Sequence, residues 1–324
     1  MSKVFLLEII GLVIAAVAAV YQYQPPQAQI TVRVTDESGD SVSDAKVAIA
    51  FKKASVSTSD WGKGADDPKY GNTNADGEFS ASGSSFNELG GNVKKEGYYA
   101  GWWKPVEFSH KEGSRWQPWN PTANVILKRI VDPVPMYARR MEVDIPTLET
   151  PLGFDLIEAD WVAPHGSGKV GDLVVKLTKR VASFNDFDAE LVVGFSNKGD
   201  GITVMPADSG SALRSARYAP ESGYSALLSL LKGSSKERGE YGMKNDGKDY
   251  FFRVRAIEGE GGRVVSALYG KIYGGIEYFP ISYATAKLRI TYYLNPTPND
   301  RNMEFDPKRN LFTDLKPDEQ VTAP

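Results

Sequence analysis

Three short stretches carry residue types that could do chemistry. Asp186, Asp188 and Glu190 alternate along a strand-like run, so their carboxylates would line one face together. Such a row could hold calcium in an all-oxygen shell, or supply the acid and base of glycan cleavage. Charges at that spacing also keep a strand edge from pairing with other chains, and the row is read first in that way. Asp208-Ser209-Gly210, with His165 and Asp160 upstream, has the residue types of a serine nucleophile and its partners. The flanking glycines of a nucleophile loop are missing and nothing in the spacing brings His165 to Ser209, so Ser209 is assigned to a loop and no catalytic residue is named. His165-Gly166-Ser167-Gly168-Lys169 has the flavour of a phosphate loop. Its first glycine is misplaced and no Ser or Thr follows Lys169, so it reads as a surface turn.

Other chemistry is bounded by composition. The 324 residues include no Cys and only two His, His110 and His165, which removes disulfides, thiolate nucleophiles and histidine-rich metal centres and implies no cofactor. Lys and Arg number 38 against 41 Asp and Glu, and no basic stripe stands out, so nucleic acid is not an expected partner.

Aromatic residues are the remaining candidates. Tyr98, Tyr99, Trp102, Trp103, Trp116 and Trp119 crowd into one Gly- and Pro-containing stretch. Flat rings on loops stack against sugar faces or anchor protein interfaces, whereas rings of this size also fill cores. Core filling is the more common use, and the glycan platform is the alternative.

The elements that must position these residues read as β-strands. Hydrophobic residues make up 41% of the chain, with 31 Gly and 19 Pro, and short alternating runs dominate. Ile30, Val32 and Val34 alternate with Thr31, Arg33 and Thr35; Val47 and Ile49 share a face; Thr73-Asn74-Ala75-Asp76-Gly77-Glu78-Phe79 makes a tight turn with Phe79 as a core anchor. A polar insertion, Ser55 to Tyr70, precedes that turn. A second set of runs covers Phe154 to Trp161, Leu173 to Leu177, Ala189 to Phe195, Tyr250 to Ala256, Val264 to Ile272, Ile276 to Tyr278 and Ala286 to Leu294. One helix is expected near Glu221 to Lys232, where Tyr224, Leu227, Leu228 and Leu231 share a helical face. The expected fold class is all-β: two antiparallel β-sandwiches, at 28–130 and 151–312, preceded by an N-terminal apolar helix within 1–27, joined by a linker at 131–150 and followed by a loose polar tail at 313–324.

The order V-x-V-x-D-x-x-G-x-x-V-x-D-A-x-V, then T-N-A-D-G-E-F, then V-K-K-E-G-Y, resembles the carboxypeptidase regulatory-like domain, a transthyretin-like β-sandwich. The resemblance covers about a third of the chain and implies an accessory module that stabilises, spaces or binds. More loosely, Phe195-Ser196-Asn197, Tyr269-Gly270-Lys271-Ile272-Tyr273-Gly274 and Glu304 to Phe312 resemble uncharacterised exported bacterial proteins, which brings no activity with it.

Val4 to Val20 is an apolar run interrupted by Glu8, with Ala16-Val17-Ala18 supplying a cleavable small-x-small pattern and Pro25-Pro26 a break after it. It is expected to be a signal peptide or, uncleaved, a single-span membrane anchor or assembly helix. The expected function is that of a non-enzymatic, exported envelope or surface protein with a structural or adhesive role, working through protein partners or self-association. The alternatives are a glycan-binding module, a filament subunit held by its N-terminal helix, and a polysaccharide or peptide hydrolase.

Overall fold

The structure, a computed structural model, describes residues 25–53, 65–206, 208, 210–242, 248–281 and 284–324. Val4, Glu8 and Val20, expected in the apolar helix, lie outside the described residues, as does Ser209. Among the described residues no helix is long and apolar enough to cross a membrane. Strand accounts for 55% and helix for 1% of the structure. The chain divides into two compact units, the first ending at Ile130 and taking in 210–212 as well, the second holding the remainder.

In the first unit, strand Gln27–Asp36 is the centre of a five-stranded sheet. It pairs antiparallel with Glu78–Ser84 on one side and parallel with Thr122–Leu127 on the other. The expectation of purely antiparallel pairing is therefore corrected. The chain leaves Asp36, builds the facing sheet, and returns to the open edge of Gln27–Asp36 travelling in the same direction, which a short hairpin could not achieve. The facing sheet has four strands in the order Lys69–Asn72, Lys46–Ile49, Gly91–Lys94, Gly101–Trp102. Ile30, Val32 and Val34 from one sheet and Val47, Ile49 and Val93 from the other are fully buried together with Phe51, Leu89 and Leu127.

The Thr73 to Phe79 turn is built from its own side chains. Thr73 is buried; its Oγ1 donates to Val42 O at 2.6 Å and accepts from Ala45 N at 2.9 Å. Asn74 Oδ1 accepts from the amides of Asp76 and Glu78. Gly77 has φ +75, and a Cβ there would sit 2.4 Å from Val34 O, so both backbone conformation and space require glycine.

The second unit contains two six-stranded sheets. One runs Gly201–Met205, Asp249–Glu258, Val264–Phe279, Lys287–Asn295, Val134–Asp144, Phe305–Asn310; the other runs Asp160–Trp161, Leu152–Asp155, Leu173–Ser183, Asp186–Gly194, Leu227–Ser235, Gly239–Tyr241. Side chains from both fill a common core that includes Phe154, Leu177, Leu191, Phe252, Ile272, Tyr278 and Tyr292. Fully burying an apolar side chain of this size contributes about 1.5–3 kcal/mol.

The first of these sheets is buried on both faces. Phe252, Ile272 and Tyr292 point into the intersheet core, while their neighbours Phe251, Tyr273 and Tyr293 point the other way into a separate cluster with Met205, Met303, Phe305 and Val321. Runs such as Tyr250-Phe251-Phe252 lack polar alternation for this reason. The covering layer includes the segment read as a loose tail: Val321 is buried, Arg139 Nη2 pairs with Glu319 Oε1 at 2.6 Å, and Arg140 N donates to Glu319 O at 2.9 Å. The segment read as a linker carries the eleven-residue strand Val134–Asp144.

The expected helix near Glu221 to Lys232 is not formed. Leu227–Ser235 is a strand paired along its length with Asp186–Gly194. The leucines that mimic a helical face divide by strand period instead: Leu228 and Leu230 pack against the core, and Leu227 and Leu231 face solvent. In Leu-Leu-Ser-Leu-Leu both periods fit, and the available ladder partner decides between them.

Candidate functional site

The carboxylate-rich stretches of the second unit are consumed by the fold. Asp186, Asp188 and Glu190 share a face of their strand, as their spacing requires. Arg180, opposite Asp188 on the neighbouring strand, donates to Asp188 at 2.6 Å and to Asp186 at 2.9 Å, Tyr241 OH donates to Asp188, and Ser229 Oγ donates to Glu190 at 2.6 Å. A guanidinium thus stands where a calcium ion would have to sit. The Tyr241 and Arg180 hydrogen bonds hold the Asp188 carboxyl below its ordinary range against the opposing cost of burial. Among the described residues no group of three or more His, Asp or Glu is arranged to hold a metal ion.

The His165 to Lys169 turn wraps around carboxylates of its own chain. Asp155, 2% exposed, accepts from the amides of Ile157, Glu158, Lys169 and Val170, and from Arg255 Nη2 at 3.1 Å. Asp172 accepts from Leu156 N and from both Nε and Nη2 of Arg255. Asp160 accepts from Ser167 N at 2.7 Å, Ser167 Oγ at 2.8 Å and Trp161 N at 2.8 Å. A Cβ on Gly166 would meet Trp161 O at 2.4 Å and Asp160 Oδ1 at 2.5 Å, so the glycine admits this close wrapping. The amides that a phosphate would need are already donating to Asp160 and Asp155. Desolvation raises the Asp155 carboxyl, but the amide donors, Lys169 first, overcome it and leave the group below its ordinary range. Arg255 is held in a left-handed conformation, φ 54, at an irregularity in its strand, with its head locked between Asp155 and Asp172. His165 is exposed, and Asp160 is committed to the turn.

The aromatic stretch of the first unit is divided by burial. Trp103 is 6% exposed, packs over Gly91 and donates from Nε1 to Leu89 O at 3.2 Å; Tyr99 is likewise buried. Trp116 is half-buried, stacks on Phe108 with ring centroids 5.9 Å apart, and donates to Ser85 O at 2.8 Å. Tyr98 lies under the Arg129 guanidinium at 4.9 Å. These four belong to the core and its rim, the use weighed first for the stretch, and they are not part of a single exposed platform. Trp102 and Trp119 are exposed, but on different sheets: Trp102 ends the four-stranded sheet, and Trp119 follows strand Arg115–Gln117 of the other, with Arg115 over its ring at 5.0 Å.

Strand register places Trp102 in company that the sequence hid. Tyr70 pairs with Ala48, Ala48 with Asn92, and Asn92 with Trp102, so the four form one transverse row across the four-stranded sheet. The row spans three interstrand steps, roughly 14 Å. Tyr70 is 73% exposed and Trp102 38%. In the adjoining row Asn72 pairs with Lys46 and Lys46 with Lys94. Between Tyr70 and Asn92 lies a shallow groove of about 380 Å³, floored by Ala48 and edged by Lys46, Asn72 and Lys94. The Trp102 amide donates to Gly210 O at 2.9 Å, which ties the outer edge of this sheet down. Among the described residues the Asn92 carboxamide and the Lys46 and Lys94 ammonium groups have no side-chain partner.

Sequence reasoning missed Tyr70, Asn72, Asn92 and both lysines. The available signal was the alternation Lys46-Val47-Ala48-Ile49, whose inward Val and Ile send Lys46 and Ala48 outward; Tyr70 was assigned to the polar insertion rather than to a strand.

No family model matches the chain, and no curated protein matches it. Among solved structures, the chain is similar to 3-chlorocatechol 1,2-dioxygenase from Rhodococcus opacus 1CP (10% identity, TM-score 0.24, covering 34% of this chain and 62% of that one). It is also similar to BcpA, the major pilin subunit of Bacillus cereus (11% identity, TM-score 0.23, 76% of this chain and 64% of that one). A third similarity is to the shaft pilin spaA from Lactobacillus rhamnosus GG (9% identity, TM-score 0.22, 85% and 94%). The aligned parts span less than two thirds of the dioxygenase and of BcpA.

Proposed function

We propose that the chain is a non-catalytic, exported surface protein with an adhesive role, and that its first unit binds saccharide on the outer face of the four-stranded sheet. The observation that carries this reading is the transverse row Tyr70–Ala48–Asn92–Trp102, with an exposed ring at each end and a small floor residue and a carboxamide between them. Aromatic faces take the C–H faces of pyranose rings, and unpaired amides take hydroxyls. A rigid sheet presents these groups with little ordering cost on binding. The apolar Val4 to Val20 stretch supports export, and the resemblance of this unit to carboxypeptidase regulatory-like modules supports a binding role over a chemical one. The pairing of Asp186, Asp188 and Glu190 within the fold speaks against a hydrolase built on that row.

The test is titration of the full chain with soluble oligosaccharides, read by tryptophan fluorescence and calorimetry. Tyr70→Ala with Trp102→Ala is expected to abolish saturable binding while leaving the far-UV circular dichroism and melting temperature nearly unchanged. Equal binding by this double variant, or no binding to any saccharide in a broad array, would overturn the reading.

A further inference from the structure

The four-stranded sheet carries a local arrangement that saccharide stacking does not explain. Lys46 and Lys94 stand directly opposite each other on adjacent antiparallel strands, both exposed on the same face. Like charges in that register repel and weaken the strand pair. Asp44, two residues before Lys46, is engaged at the rim by Asn72 Nδ2 at 2.6 Å, and among the described residues neither lysine forms a salt bridge. Other surface cations of this unit are neutralised from within: Lys69 pairs with Asp67, Lys52 with Asp66 and Arg33 with Glu78. The two lysines edge the groove in the row beside Tyr70 and Asn92.

Resting on the saccharide reading, we infer that the ligand is an acidic saccharide, a polyuronate, whose ring carboxylate is held between Lys46 and Lys94 while Tyr70 and Trp102 receive sugar faces. Charge complementarity selects the occupant. The chain carries a formal charge of −3, so its overall field does not gather polyanions and the attraction is confined to this face. No arginine lines the groove. A guanidinium fork matches carboxylate and phosphate alike, and ammonium groups act as point charges, so the lysine pair marks an anionic sugar and comparison with a sulfated one decides which anion it carries.

The experiment compares an oligogalacturonate with its fully methyl-esterified form, which keeps ring, linkage and length and removes the charge. Calorimetry on the full chain is expected to show at least tenfold tighter binding of the acid at low salt, with the difference collapsing in 0.5 M NaCl. Lys46→Gln with Lys94→Gln should lose that tenfold preference and bind the ester as the parent does, with a melting temperature no lower than the parent's as the control for folding. Equal affinity of the parent for acid and ester would overturn the acidic-ligand inference and leave saccharide binding standing. Failure to bind either would overturn the polyuronate inference, and the saccharide reading falls with it only if the broad array is silent as well. Tighter binding of a dextran sulfate of matched charge would reassign the anion and overturn the polyuronate. Acid binding that survives Tyr70→Ala with Trp102→Ala would place the anion outside the groove and overturn the inference as well.

Discussion

The turn around Asp155 and the outer face of the four-stranded sheet are both rich in polar side chains, and they use them in opposite ways. Around Asp155 every carboxylate is answered from within: four amides and Arg255 on Asp155, Leu156 N and Arg255 on Asp172, Ser167 and Trp161 on Asp160. On the sheet face Lys46, Lys94 and Asn92 are left open beside exposed rings. Polar groups that fold a chain are saturated and buried, because an unpaired one there costs its full desolvation. Groups kept for another molecule can stay open only where water holds the place. The Asp155 turn has the residue types of a site and turns out to be structure. The sheet face has the residue types of an ordinary strand pair and is the better candidate for recognition.

Removing the hub of the saturated region should give the largest effect. Asp155→Ala would leave four part-buried amides without their acceptor and take one of the two carboxylates from Arg255, and a loss of about 3 kcal/mol or more in unfolding free energy is expected from urea titration. Asp186→Ala, in the exposed row, should change stability by no more than about 0.5 kcal/mol. Equal costs would erase the distinction between buried hub and solvated row.

Next in size is the contrast between neighbouring tryptophans. Trp103→Ala should cost about 3 kcal/mol through the cavity over Gly91, while Trp102→Ala should stay within about 0.5 kcal/mol and be felt only in ligand binding. Thermal melts of the two variants, run beside saccharide titrations, separate the roles.

Acid should act on the saturated region. The Asp155 and Asp160 carboxyls lie below their ordinary range in the folded chain, Asp160 chiefly because Ser167 N donates to it. A depressed folded pKa gives stability that is present above the unfolded value, near 4, and lost as pH falls through the folded one. Unfolding free energy measured from pH 6 downward should therefore decline below about pH 4, and Asp155→Asn should make that decline shallower. An unchanged acid limb in the variant would remove Asp155 from the account.

Smaller effects sharpen the open face. Lys46→Gln should raise stability by ~0.2–1 kcal/mol by removing the opposed ammonium pair, with the gain fading in high salt. Leu227→Ser, on the solvent side of its strand, should fall within about 0.5 kcal/mol, and Leu228→Ala should cost more because Leu228 packs on the core. The reverse order would reinstate a helical face for these leucines.

Much of the fold was legible from local pattern. Alternation at Ile30, Val32 and Val34 marked a strand with one buried face, and the Thr73 to Phe79 turn could be read because Asn74 and Gly77 act within a few residues of themselves. The tail was misread because Val321 and Glu319 are polar-flanked and isolated in sequence; their partners, Arg139 and Arg140, lie far upstream. The helix near Glu221 was misread because leucines at 227, 228, 230 and 231 satisfy two periods at once.

What the sequence determined by itself was the β character of the chain, its lack of cysteine, and the turns whose hydrogen bonds close locally. These follow from residue type and short-range spacing. Register, the parallel return of Thr122–Leu127, the division of the aromatic stretch into core and surface, and the row from Tyr70 to Trp102 were decided by tertiary structure. A transverse row draws one residue from each of several strands, and a one-residue slip in any pairing would turn that strand's whole set to the other face. No single stretch of chain carries that information, since it resides in how separate stretches bury their apolar sides against a common core.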